Sequence, residues 1–252
     1  MKFLKNPSYL ILCLLLVLLI DSCKKSKTTP APIPPPVNLV AYWPLDDNAN
    51  DKSRYGNNGI AFDVTPTANR YGKANSAYHF NGTSSYIAVP DSVKLRLGNT
   101  DFTLNAWVNL DNYNGEYLSA IISKRFSGEN SGWLWGINGN LNTPLGVVYY
   151  GPGGGNANAM GNTVLTTGRW YMVTCVYSIA NAQLSVYING VLDNQVSGIL
   201  PANASASANL YIGTDNPDNG NPYFFQGSLD EIRIYNTALN LSSIQQLYTS
   251  TN

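Results

Sequence analysis

The strongest constraint on this chain is a succession of short segments in which apolar and polar residues alternate, each closed by a turn rich in Gly and Asn. Phe102-Thr-Leu-Asn-Ala-Trp-Val-Asn-Leu110 puts Phe102, Leu104, Ala106, Val108 and Leu110 on one face and Trp107 on the other, the period-2 pattern of a half-buried strand. Residues 39–46, 77–80, 85–89, 120–124, 133–137, 145–150, 169–178, 183–187, 210–213 and 227–235 have strand character too. Asn81-Gly82 and Asn189-Gly190 are the pairs a type I′ turn demands, so each predicts a tight hairpin. Residues 51–59 predict an ordered loop, with left-handed backbone at Gly56, Gly59 and one Asn. Helical periodicity is confined to residues 236–248, a turn and a short helix capped by Asn240, with Leu241, Ile244, Leu247 and Tyr248 along one face. About a dozen short strands at regular spacing predict an all-β fold of two antiparallel sheets packed face to face.

Composition narrows the setting. Lys+Arg and Asp+Glu both number 15 in 252 residues, so no basic field recruits nucleic acid. Low charge with 22 Gly and 17 Tyr suits an extracytoplasmic β protein. Lys2 and Lys5 precede an apolar run over 9–20, which is too short to span a bilayer and of the right length for a signal-peptide core. The following Ile20-Asp21-Ser22-Cys23 resembles the cleavage site of bacterial lipoproteins, which implies a signal peptide over 1–22 and a lipidated Cys23. Residues 23–37 carry three lysines and then Pro30, Pro32, Pro34, Pro35 and Pro36, a tether of extended character. The domain proper is 38–252. Its single cysteine, Cys175, lies in an apolar strand and reads as a small buried hydrophobe.

Gly227-Ser-Leu-Asp-Glu-Ile-Arg-Ile-Tyr235 poses a chemical problem. Strict alternation sets Asp230 on the face of Ile232 and Ile234, and Leu229, Glu231, Arg233 and Tyr235 on the other. A carboxylate turned toward a core needs compensation, from a metal ion or from water and backbone N–H groups at the strand mouth.

Several segments resemble the LamG-like members of the concanavalin A-like lectin/glucanase superfamily: Ala41-Tyr-Trp-Pro-Leu-Asp-Asp47, Ala77-Tyr-His-Phe-Asn-Gly-Thr-Ser-Ser-Tyr-Ile87, Phe102-Thr-x-x-Ala-Trp-Val108, Arg169-Trp-Tyr-x-Val173, Val186-Tyr-Ile-Asn-Gly190 and Gly227-x-Leu-Asp-Glu-Ile-Arg-Ile-Tyr235. They run in the family's order across 38–252. The resemblance implies a concanavalin A-like jelly-roll sandwich whose first and last strands are neighbours. It also implies one structural calcium ion near those strands, held by Asp230, by Asp46 or Asp47, and by carbonyl oxygens around Asn81 and Gly82. Calcium suits such a set, since it takes six to eight oxygens without rigid geometry.

Glucanases of that superfamily carry Glu-x-Asp-x-x-Glu on one strand, and this sequence has no such motif. Its three glutamates are Glu116, Glu129 and Glu231. Adjacent Asp230 and Glu231 fall on opposite faces by alternation and form no glycosidase pair. The lone His79 has no Gly-x-Ser-x-Gly elbow with it. The expectation is a non-catalytic, lipid-anchored module of the cell envelope, in the outer membrane, that binds carbohydrate through aromatic rings. Trp133, Trp135, Tyr149, Tyr150 and Tyr223 are the candidate ligand contacts. The rival expectation is an adhesion or scaffold module that binds an envelope or extracellular protein, and the third is a polysaccharide hydrolase without a recognisable carboxylate motif.

Overall fold

The computed structural model describes residues 38–98, 100–113, 118–126, 132–139, 147–150, 159–198, 206–218 and 222–250, of which 147–150 are described by backbone alone. The expected signal peptide, the expected lipidation site Cys23 and the expected proline-rich tether lie outside the described residues. In chain order the strands are β1 (Leu39–Trp43), β2 (Ile60–Phe62), β3 (Thr65–Thr67), β4 (Ala77–Asn81), β5 (Tyr86–Val89), β6 (Phe102–Leu110), β7 (Leu118–Arg125) and β8 (Gly132–Asn138). There follow β9 (Val147–Tyr150), β10 (Ala159–Met160), β11 (Trp170–Ser178), β12 (Gln183–Ile188), β13 (Val191–Ser197), β14 (Leu210–Ile212), β15 (Gln226–Tyr235) and one helix, α1 (Leu241–Thr249).

They form two antiparallel sheets. The eight-stranded sheet runs β13-β12-β11-β6-β15-β4-β3, with β1 also paired to β15, and the seven-stranded sheet runs β10-β9-β8-β7-β14-β5-β2. The first and last strands are neighbours, as expected: Leu39 opposes Tyr235 and Trp43 opposes Ile232. Between the sheets lies one continuous core that includes Leu104, Ala106, Val108 and Leu110 of β6, Ile122 of β7, and Ile232 and Ile234 of β15. Trp107 faces away from that core, with Met172, Val176 and Ile244, so α1 lies over the outer face of the eight-stranded sheet. Asn240 caps α1 by accepting from the Ser243 amide at 2.9 Å. Of the predicted helix face Ile244 is buried, whereas Leu241 is 48% exposed.

Asn189 (φ 51) and Gly190 (φ 77) both take the left-handed backbone of a type I′ turn and join β12 to β13. Asn81-Gly82 does not make a hairpin. Its two flanking strands belong to different sheets, and the turn arches between them because Asn81 Oδ1 gathers the amides of Thr83, Ser84 and Ser85 at 2.9, 2.9 and 3.1 Å. In the 51–59 loop only Gly56 has positive φ. Gly59 is required instead by crowding, since a Cβ there would lie 2.4 Å from Ile87. The buried carboxylate of Asp51 orders this loop, accepting from the amides of Tyr42, Ser53 and Asn57 at 2.8, 2.7 and 2.7 Å.

The alternation expected along β15 breaks at Glu231. Asp230 opposes Trp107 and Arg233 opposes Asn105, so three steps on β15 match two on β6, and Glu231 takes φ 55. This β-bulge changes the phase of the strand. Asp230 therefore faces outward beside Trp107, not inward with Ile232 and Ile234. Glu231 shares its side of the sheet, bonded to the Tyr42 hydroxyl at 2.9 Å and to Arg233, so the two carboxylates are not on opposite faces.

Candidate functional site

The seven-stranded sheet turns half of its outer face to solvent. Ile60, Ala88, Tyr211, Ser123 and Leu134 are successive cross-strand partners from β2 to β8. Phe62 opposes Tyr86 one step along. On the β2 side the face is open: Ile60 is 61% and Phe62 40% exposed. On the β7 and β8 side it is closed, with Leu118, Ala120 and Leu134 buried and Tyr223 packed against them. The open half is a shelf of rings. Phe62 and Tyr86 stack at 4.6 Å, and Tyr86 meets Tyr211 edge-on at 6.1 Å. The small side chains of Ala88 and Ser123 flank Tyr211 in its row.

A polar cluster bounds the shelf where the closed half begins. Asp215, 1% exposed, accepts from Ser123 Oγ at 2.5 Å and from Arg125 Nε and Nη2 at 2.9 and 2.6 Å. The loop that carries Asp215 is pinned through bonds from its amide and from Thr214 Oγ1 to the Pro222 carbonyl, at 2.7 and 2.6 Å. It starts at Gly213 (φ +81), where a Cβ would lie 2.3 Å from the ring of Phe80. Burial, followed by Tyr211, Asp218 and Asp63, pushes up the Tyr86 phenol. Rings with wet edges, beside fixed donors and acceptors, suit a ligand with both apolar faces and hydroxyl groups.

Few of the residues singled out from sequence lie on this shelf. Trp133 and Trp135 are 0% exposed and fill the core between the sheets, so neither touches a ligand. Two residues apart on β8, they share one face of the strand, and it is the inward one. Tyr149 opposes Trp135 and Tyr150 opposes Leu134, so of the two Tyr150 holds an outward register position. Tyr223 (φ 51) borders the closed half, and its carbonyl accepts from the Ala120 amide at 2.9 Å. Phe62, Tyr86 and Tyr211 were missed. The signal was present in Tyr86-Ile-Ala-Val89 and Leu210-Tyr-Ile212, where each tyrosine alternates with core aliphatics.

Asp230 and the Asn81-Gly82 turn, both expected around one calcium ion, lie too far apart to share it. Asn81 opposes Gln226, four residues from Asp230 along β15, which is about 13 Å at ~3.3 Å per residue. The Asn81 side-chain oxygen is already saturated by backbone amides, and Gly82 continues that turn. Asp46 pairs with Lys73 at 3.5 Å in the open, and exposed Asp47 has φ 57. Asp230 meets a cation of the protein's own: Arg70 Nη1 at 3.2 Å, with the Arg70 guanidinium over Trp107 at 4.3 Å and Nη2 bonded to the Ser250 carbonyl at 3.1 Å. Burial and the neighbouring Glu231 outweigh Arg70 and push the Asp230 carboxyl up to about 8. Among the described residues no three of His, Cys, Asp and Glu converge as a metal site.

The family model of the concanavalin A-like lectin/glucanases superfamily matches residues 81–245, more than half of the chain. The chain belongs to that superfamily. No curated protein matches its sequence. Among solved structures, domain 4 of AbnA, a GH43 extracellular arabinanase from Geobacillus stearothermophilus in complex with arabinotriose, is similar at 20% identity and a TM-score of 0.66, over 84% of this chain and 98% of that one. The binding domain of Paraclostridial Mosquitocidal Protein 1 is similar at 19% identity and a TM-score of 0.65, over 84% of this chain. A structure of botulinum neurotoxin type C, whose cell entry is dependent upon interaction with two ganglioside molecules, is similar at 16% identity and a TM-score of 0.62, again over 84% of this chain. This superfamily member spans about half the length of those two toxin chains, 52% and 51%. At these identities the likeness is one of fold.

Proposed function

We propose that this protein is a non-catalytic glycan-binding module, held at the cell envelope by a lipid on Cys23 and displayed on the proline-rich tether. The observation that carries this is the ring shelf of Phe62, Tyr86 and Tyr211, open at the β2 edge and bounded by the Arg125–Asp215 cluster. Domain 4 of the arabinanase, similar over nearly its whole length, was obtained with arabinotriose, which supports a sugar as the occupant. Asp230 and Glu231 lie buried among Arg70, Arg233 and Tyr42 on the other sheet from the ring shelf, and the protein's own side chains occupy both carboxyl groups.

The direct test is a glycan array with residues 38–252, a unit that contains its own core, alongside Tyr86→Ala and Tyr211→Ala. Binding that falls at least tenfold in both variants, with melting temperatures within a few degrees of the parent, supports the shelf. Binding that survives loss of both rings places the ligand elsewhere. For the anchor, labelling of the full chain with a fatty-acid analogue in its bacterial host is expected to disappear in Cys23→Ala. The adhesion reading has one observation in its favour, the edge strand β13 with Val191 66% and Leu192 47% exposed.

A further inference from the structure

The shelf carries a charge bias that the whole chain does not. Basic and acidic residues number 15 each in the sequence. Yet among the described residues at outward positions of β2, β5, β14, β7 and β8, Arg125 is the only cation, and it is committed to Asp215. Two exposed carboxylates stand beside the rings, and no described cation lies within ion-pair distance of either. Asp63 follows Phe62 directly, and its carbonyl accepts from Ser85 Oγ at 2.6 Å, next to Tyr86. Asp218 lies in the turn beyond Asp215, its amide held by Asn216 Oδ1 at 3.1 Å. Both lie near enough to act on the Tyr86 phenol. Exposed cations gather elsewhere, as where Arg54 and Lys94 stand over the ring of Tyr55 at 4.9 and 5.8 Å.

We infer that the shelf selects its glycan by charge: it accepts neutral or amine-bearing polysaccharides and turns away those carrying carboxylates or sulfates. This deepens the glycan-binding proposal and rests on it. An acidic sugar seated on the rings meets two like charges with no cation free to offset them. At about 7 Å through water the pair weakens binding roughly fivefold per acidic sugar at low salt. The penalty fades as the Debye length shrinks from about 30 Å at 0.01 M to about 3 Å at 1 M.

The test uses oligosaccharides of three backbones, β-1,4-glucan, β-1,4-galactan and β-1,4-mannan, each as the neutral form, the C6-oxidised uronate and the 2-amino form. They are titrated into residues 38–252 and into an Asp63→Asn, Asp218→Asn double variant. Asparagine tolerates the left-handed backbone at position 63 (φ 50), and both sites are exposed, so the variant keeps its fold, which a melt verifies. The expected result is binding of neutral and amino forms on at least one backbone, with the uronate of that backbone about fivefold weaker at low salt. The gap should close in the double variant and in 1 M salt. A uronate that binds as tightly as its neutral counterpart overturns charge selection while leaving glycan binding intact. No binding of any form by the folded domain removes both.

Discussion

The buried carboxyl of Asp230 gives a quantitative test of its surroundings. Its ordinary value of 3.8 is pushed up to about 8 in the folded protein, by burial first and Glu231 second. Between those values the folded state holds a proton that the unfolded chain has released, so stability falls as pH rises, by about 1.4 kcal/mol per unit. From pH 5 to pH 7.5 that amounts to about 3 kcal/mol, or roughly 6–12 °C in melting temperature for a domain of this size. Asp230→Asn removes the titration while keeping an oxygen that Arg70 can bond. Thermal melts of both proteins at half-unit steps should show the parent falling across this window and the variant falling less by that margin. Equal slopes, or a parent that gains stability toward pH 7.5, would refute the upward shift of the Asp230 carboxyl and the burial that causes it.

Three further perturbations bear on the fold and on the reach of the shelf. Gly213→Ala forces a methyl group against the Phe80 ring at a position with φ +81 and is expected to cost at least about 2 kcal/mol, read by chemical denaturation. Trp135→Ala should destabilise by about 3–5 kcal/mol without changing the affinity of the remaining folded protein for glycan, as a core residue would and a ligand contact would not. Cys175 is 0% exposed and burial pushes its thiol up, so in residues 38–252 a thiol reagent should react with one equivalent in denaturant and none in native buffer.

Period-2 patterning was sufficient for the sandwich because β6, β11 and β12 each bury one face against the other sheet, and their sequences say so. Of the strands that escaped, β2, β3 and β10 have two or three residues each, too few for a period to show, while β13 has seven but reads Val-Leu-Asp-Asn-Gln-Val-Ser, in which apolar and polar residues do not alternate. The bulge was hidden for a different reason. Nothing in Leu-Asp-Glu-Ile announces a non-glycine residue at positive φ, and one such residue reverses the face of everything after it. Asn81-Gly82 carried a true turn signal, but a turn does not say whether the next strand stays in its sheet. The same blindness governed the aromatics. Trp133 and Trp135 alternate as cleanly as Tyr86 and Tyr211, and only the packing of the second sheet tells inward rings from outward ones.

The pairing of β1 has a mechanical consequence. Any force that enters the domain at Asn38 along the strand axis reaches it through β1, whose only sheet partner among the described residues is β15. The other side of β1 is stitched to the Asp51 loop by the Tyr42 amide at 2.8 Å and by Ser53 Oγ and Asn57 Nδ2 on the Val40 carbonyl at 3.0 Å each. Such a pull loads both rows of bonds in shear, so that they share the tension instead of opening one after another. The first strand is thereby built to stay seated under a pull of that direction.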